Sequence, residues 1–258
     1  MRSSLIEKLA PLPFVAKSRA AMGKKAAEDI ADELRRRLLY QQSVRMIFAA
    51  APSQSEMLTA LILMPDIDWS RVTAFHMDEY LGLASEAPQR FGLWLGRAIF
   101  DRLPFAAVHL LEPGTDPEAT AAEYADRLAE SPIDIVCCGI GSNGHLAFND
   151  PPADLNDPFD VKVVKLDTAC RQQQVDDRCF DRFDDVPTHA LTLTIPRLLA
   201  ADRIFCCVPG AFKRTAVRRT LQDPISGLVP ATALRTHSNW SLYLDEDSAA
   251  GLASREAQ

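Results

Sequence analysis

At 258 residues, with 47% hydrophobic and 24% charged side chains, the chain is long enough to bury a substantial core and has the make-up of an ordinary globular protein rather than a disordered or fibrous one. Its 28 Lys and Arg stand against 35 Asp and Glu, a formal charge of −7, and no basic block stands out beyond Arg35, Arg36 and Arg37, which argues against nucleic acid as a partner. No run approaches a membrane span and Met1 to Pro11 lacks the apolar core and cleavage site of a leader, so a cytoplasmic protein without membrane partners is expected.

From Phe14 to Gln42 the spacing of Ala21, Ala26, Ile30, Ala31, Leu34, Leu38 and Leu39 predicts one amphipathic helix laid on a sheet. Val44 to Ala51 then reads as a short buried strand, Pro52-Ser53-Gln54-Ser55 as a loop, and Glu56 to Leu63 as a second helix. Further strand-like runs follow at Val72–Phe75, Val108–Leu111, Ile133–Ile140, Val161–Leu166, Ala190–Ile195, Ile204–Val208 and Trp240–Leu244. Helical patterns lie between many of them, at Arg90–Leu103, Pro117–Glu130 and Ala211–Leu221. Such alternation predicts a Rossmann-like, doubly wound α/β fold, with a mostly parallel sheet and helices on both faces. No repeat or long linker interrupts it, so residues 1–258 are expected to form a single domain.

The six cysteines include two adjacent pairs, Cys137-Cys138 and Cys206-Cys207, in apolar runs. Neighbours on a strand point to opposite faces, so neither pair closes on itself, and reduced thiols are expected. His76, His109, His189 and His237 are scattered without ligand spacing, and no metal or other cofactor is expected. His76 alone lies in a functional segment, where it is a candidate to line the pocket.

Polar and glycine-rich residues concentrate just after the strands, at Ser53–Ser55, Asp78–Gly82, Gly139–Asp150 and Gly210–Lys213. Ligands bind outside the carboxyl ends of strands in open parallel sheets, so these four segments are expected to meet at one site. In Gly139–Asp150, glycines that include Gly141 and Gly144 allow close backbone approach, and His145 brings the side chain that titrates near neutrality, with Asp150 able to orient it. In Phe75–Leu83, Asp78 and Glu79 lie at the end of a strand-like run; in a partly dry cleft a carboxylate such as Asp78 becomes a base able to move a proton beside a carbonyl, and Glu79 next to it is a candidate ligand contact. Ser53, Gln54 and Ser55 at a helix start offer hydroxyls and N–H groups to an anion.

Met77-Asp78-Glu79-Tyr80-Leu81-Gly82-Leu83 and Gly139-Ile140-Gly141-Ser142-Asn143-Gly144-His145-Leu146-Ala147-Phe148-Asn149-Asp150 together resemble the signatures of the glucosamine-6-phosphate deaminase and 6-phosphogluconolactonase superfamily, on the deaminase side. The resemblance extends from about Val44 to Leu244. It implies that Asp78 shuttles a proton between two sugar carbons, that His145 assisted by Asp150 opens the sugar ring, and that Lys213 and Arg171 hold the phosphate. A small phosphorylated sugar is the implied ligand, no cofactor is implied, and a homo-oligomer is left open.

Three departures from the family pattern are visible. Asn143 stands where an aspartate is usual, Asp150 where a glutamate is usual, and Ala49-Ala50-Ala51 where the phosphate loop is usually glycine-rich. The leading expectation is an amino-sugar-phosphate deaminase acting on glucosamine 6-phosphate or an epimer. Lactone hydrolysis and a sugar-phosphate-binding protein without turnover remain as alternatives.

Overall fold

The computed structural model describes residues 12–252, so the leader reading of Met1 to Pro11 lies outside the described residues. The first element among the described residues is a short strand, β1 (Phe14–Ala16), followed by a long helix, α1 (Arg19–Tyr40). The single helix predicted over Phe14–Gln42 is therefore divided. Ser18 breaks it: its side chain accepts the Ala21 N–H (3.2 Å) and caps α1, leaving Phe14–Ala16 free to pair with the strand Trp240–Asp245 at the edge of the sheet.

The succession continues with β2 (Val44–Phe48), α2 (Ser55–Leu61), β3 (Val72–His76), β4 (Asp78–Tyr80), α3 (Phe91–Ala98), β5 (Ala107–His109), α4 (Pro117–Ala129) and β6 (Ile135–Cys138). It ends with β7 (Val161–Lys165), α5 (Thr168–Asp176), β8 (His189–Leu193), α6 (Ile195–Leu199), β9 (Arg203–Val208), α7 (Arg214–Gln222), β10 (Trp240–Asp245) and α8 (Glu246–Ala249). Seven strands form one sheet in the order β1-β10-β9-β6-β2-β3-β5, every pair parallel. No helix among the described residues is long and apolar enough to cross a membrane.

The period of two along each strand divides the core. Met46, Phe48, Cys137 and Cys207 pack on one face against α1, α2 and α3, while Ile47, Val136, Cys138 and Cys206 pack on the other against α4, α6 and α7. The adjacent cysteines thus point to opposite faces, and all six are free.

Two strands expected in the parallel sheet lie elsewhere. β7 and β8 join β4 in a separate antiparallel sheet of order β4-β8-β7. The chain passes between the sheets at Met77, whose carbonyl accepts the Leu193 N–H (2.8 Å). Asp78–Tyr80, which reads as a loop from the sequence, is a strand because β8 supplies its partner: Asp78 stands opposite Thr192 and Tyr80 opposite Ala190. This small sheet fixes Asp78 at the carboxyl end of β3.

Candidate active site

A cleft opens beyond the carboxyl ends of the central strands. Its walls include Ala49–Ser53 after β2, Met77 and Asp78 after β3, Gly139–Gly141, His145, Ala147 and Phe148 after β6, and Lys213 after β9. The four segments expected to converge do so, and α5 adds a fifth wall through Gln173, Gln174 and Asp177.

Asp78 is only 6% exposed, and its burial, with the Glu79 carboxylate beside it, pushes its carboxyl well above the usual range. His76 lies underneath rather than in the cleft. It is wholly buried, its Nε2 accepts the Leu111 N–H (2.7 Å), and burial together with Arg90 pushes its pKa down to about 3, so it stays neutral. Its own backbone is held by the Tyr124 hydroxyl, which accepts the His76 N–H (3.0 Å) and lies 2.9 Å from the His76 carbonyl.

Glu79 corrects an expectation of ligand binding. Strand alternation turns it away from Asp78, and its fully buried carboxylate accepts N–H groups from Tyr80, Phe91 and Gly92, each at 3.0 Å, with the Arg90 guanidinium 3.6 Å away. Glu79 thereby caps α3, whose own N-cap residue Arg90 makes no side-chain cap.

The loop after β6 folds back on itself: Gly141 donates to the His145 carbonyl (2.9 Å) and Gly144 to the Gly141 carbonyl (3.0 Å). Gly144, at φ +90°, sits at that turn against Val229 and is not part of the cleft wall. Gly141 lies directly against the imidazole, where a Cβ would fall 2.2 Å from the ring. The loop is moored to β8 by Phe148, which donates to Thr192 Oγ1 (3.0 Å), and by Asn149, which donates to the carbonyls of Leu146 and Leu193 (both 2.8 Å).

Both departures at this loop are accommodated. Asn143 Oδ1 accepts the His145 N–H (3.0 Å) while its amide donates to Asp150 Oδ1 (3.1 Å), so it braces both partners without a charge. The shorter Asp150 still reaches His145, with Oδ1 3.2 Å from Nδ1, and its Oδ2 accepts the Asp167 N–H (3.1 Å). Burial pushes the Asp150 carboxyl up, but His145, the Asn143 amide and the Asp167 N–H outweigh it and hold the group below its usual range.

At the other end of the cleft, Lys213 is 3% exposed, and no ion pair involves it among the described residues. Burial pushes its pKa down to about 8, against the pull of Asp177. Ser53 is in the wall, with Gln54 behind it donating to Ser53 Oγ (3.1 Å) and to the Cys207 carbonyl (3.2 Å). The expected row of free N–H groups is shortened, because Pro52–Gln54 is a 3₁₀ turn in which the N–H groups of Gln54 and Ser55 donate to Ala51 and Pro52 carbonyls. Ser55 does not line the cleft.

Arg171 is also elsewhere. Its guanidinium stacks on Phe183 (4.2 Å to the ring centre) and donates to the carbonyls of Phe183 (3.0 Å) and Val186 (2.8 Å). The cation that lines an adjoining part of the cleft is Arg178, next to Asp177 and with Ala50, Ala51 and Pro52 as shared walls. Sequence reasoning missed Arg178, Asp177, Gln173 and Gln174. The signal was present in the irregular stretch Cys170–Phe180, where only a helix ending at Asp176 determines which arginine reaches the cleft.

A doubly wound sheet with a raised-pKa carboxylate, a His–Asp pair and a buried lysine on one cleft defines an α/β enzyme of the acid–base class. The chain belongs to the glucosamine-6-phosphate isomerase/6-phosphogluconolactonase family, whose profile matches residues 17–242. It is 33% identical over 207 residues to a glucosamine-6-phosphate deaminase of Listeria monocytogenes serotype 4b, covering 80% of this chain and 87% of that one. A glucosamine-6-phosphate deaminase of an Exiguobacterium species is 35% identical over 188 residues, 72% of each chain. Among solved structures, a monomeric glucosamine-6-phosphate deaminase superposes with a TM-score of 0.84 at 27% identity, covering 92% of this chain and 99% of the other. A 6-phosphogluconolactonase of Shewanella baltica OS155 shares the fold, with a TM-score of 0.76 at 18% identity over 92% of this chain and 99% of that one.

Proposed function

We propose that this chain is an amino-sugar-phosphate deaminase that converts glucosamine 6-phosphate, or an epimer, to a ketose 6-phosphate and ammonia. The observation that carries the reading is the shared cleft, with Asp78, the His145–Asp150 pair and Lys213 all in its walls or immediately behind them. In this reading His145, oriented by Asp150 and Asn143, transfers the proton that opens the pyranose ring. Asp78 then takes the proton from C2 and returns it to C1, and water hydrolyses the resulting C2 imine with release of ammonia. A base for this step works best with a pKa displaced toward neutrality, which burial supplies at Asp78.

Lys213, Ser53 and Arg178 are the groups assigned to the phosphate, Arg178 replacing Arg171 because the latter is committed to backbone carbonyls. The reaction needs no cofactor. The walls of the cleft come from segments between residues 49 and 213, and the described unit is read as one catalytic domain. A phosphorylated sugar substrate and six free thiols support a cytoplasmic setting.

The test is incubation of the purified protein with glucosamine 6-phosphate and its epimers while ammonia and ketose phosphate are measured, with a 6-phosphogluconolactone hydrolysis assay in parallel. Both products should form, and Asp78→Asn should reduce their rate by at least about a hundredfold. Lactone hydrolysis without ammonia would replace this reading with the hydrolase one, and tight sugar-phosphate binding without product would replace it with a binding protein.

A further inference from the structure

Beside the His145–Asp150 pair lies a third group that the proposed reaction does not use. Cys170, in the first turn of α5, is fully buried, and its Sγ, a His145 ring nitrogen and an Asp150 carboxylate oxygen all lie within 4.8 Å of one another. His145 is itself more than nine-tenths buried, and its Nδ1 has no hydrogen-bond partner. It sits 3.2 Å from Asp150 Oδ1 without the alignment of a hydrogen bond. A buried imidazole nitrogen without a hydrogen-bond partner, grouped with a carboxylate and a thiol at the edge of the cleft, matches the donor set of a tetrahedral zinc site with three protein ligands and one water.

The outer shell is already in place. Asp167 accepts the Cys170 N–H at Oδ1 (2.5 Å) and donates its own N–H to Asp150 Oδ2 (3.1 Å), so one residue positions two of the three ligands. Asn143 braces the third and ties it to Asp150. Sequence spacing gave no hint of this set, because the three donors come from a turn, a loop end and a helix, and 25 residues separate the first from the last in numbering only.

We propose that His145, Asp150 and Cys170 form a site for a single thiophilic divalent cation, zinc or its surrogate cadmium, and that filling it stops turnover by occupying the ring-opening histidine. On binding, the Cys170 S–H bond is exchanged for a sulfur–metal bond and the proton leaves to solvent. His145 coordinates through Nδ1 as the neutral imidazole, any proton on that nitrogen moving to Nε2 or leaving to solvent, and Asp150 contributes a carboxylate oxygen. Binding stands independently of which sugar phosphate reacts; only the inhibitory consequence rests on the role of His145 proposed above.

The experiment is titration of the metal-free, full-length protein with cadmium, read by the thiolate-to-metal charge-transfer band, and with zinc, read by calorimetry. One equivalent of cadmium should develop the band in the wild type and in Cys206→Ala, and the band should be absent in Cys170→Ala. Asp150→Asn and His145→Gln keep the thiol and should each weaken zinc binding by at least about tenfold, since loss of a ligand costs no less than loss of its outer-shell support. In the ammonia assay, zinc should inhibit the wild type reversibly on addition of a chelator. Absence of the band in the wild type, its persistence in Cys170→Ala, or wild-type zinc affinity in both Asp150→Asn and His145→Gln would overturn the site. Should Cys170→Ala not fold, the two ligand variants decide. Inhibition by zinc with no change in His145→Gln binding would overturn it as well. A protein that binds the ion as expected yet releases no ammonia would count against the deaminase reading alone.

Discussion

Gly141 places the imidazole of His145 by what it lacks. A methyl at this position would stand 2.2 Å from the ring, far inside any real contact, so Gly141→Ala must move either the loop or the histidine. Displacements of about 1 Å at a catalytic group cost on the order of a hundredfold in rate, so kcat for ammonia release should fall by about that factor while circular dichroism is unchanged. At the same scale, Asp78, His145, Asp150, Asn143 and Lys213 are legible in the sequence because their motifs are contiguous with strand ends. Glu79 and Arg171 are not, since a carboxylate that caps a neighbouring helix and an arginine stacked on Phe183 carry the same residue type as a ligand contact.

Helix α1 shows how an element is positioned by one small residue. Gly23 lies where α1 crosses α2, and a Cβ there would meet Glu56 Cβ at 2.6 Å and Met57 N at 2.7 Å, both parts of a packed helix with nowhere to retreat. Gly23→Ala should therefore cost about 1–3 kcal/mol of stability, measured by urea unfolding, despite the better helix propensity of alanine. The three arginines that stand out as a basic run are all paired: Arg35 with Asp32, Arg36 with Glu33, and Arg37 with Glu33, Asp134 and Asp202. Helical spacing foretells the first pairs, but Asp134 and Asp202 come from distant segments that only the sheet brings beneath α1. β1 and β4 illustrate the same limit, since each is three residues long and is a strand only because an edge elsewhere accepts it.

The molecule as a whole is negative, yet the cleft proposed to take a sugar phosphate holds a buried lysine. Burial brings the Lys213 pKa down to about 8, so its ammonium is charged at neutrality and loses its proton as the pH rises through that value. KM for the phosphorylated sugar should accordingly rise above about pH 8 with a smaller change in kcat, and Lys213→Met should raise KM at neutral pH and remove this alkaline rise. Steady-state assays across the neutral and alkaline range check both, at constant ionic strength so that screening does not imitate the effect.

Alternation of apolar strand and amphipathic helix was enough, by itself, to determine the doubly wound parallel core, because burying both faces of a sheet leaves a periodic trace in every strand and helix. The same local record located the strand-end loops and the residues Asp78 and His145 within them. Only the tertiary structure decided which strands left that sheet for the antiparallel one, which of two nearby arginines turns to the cleft, and that Cys170 stands beside His145 and Asp150. Those outcomes depend on edges, capped helix ends and close approaches between segments far apart in the chain, and such contacts impose no period on either partner.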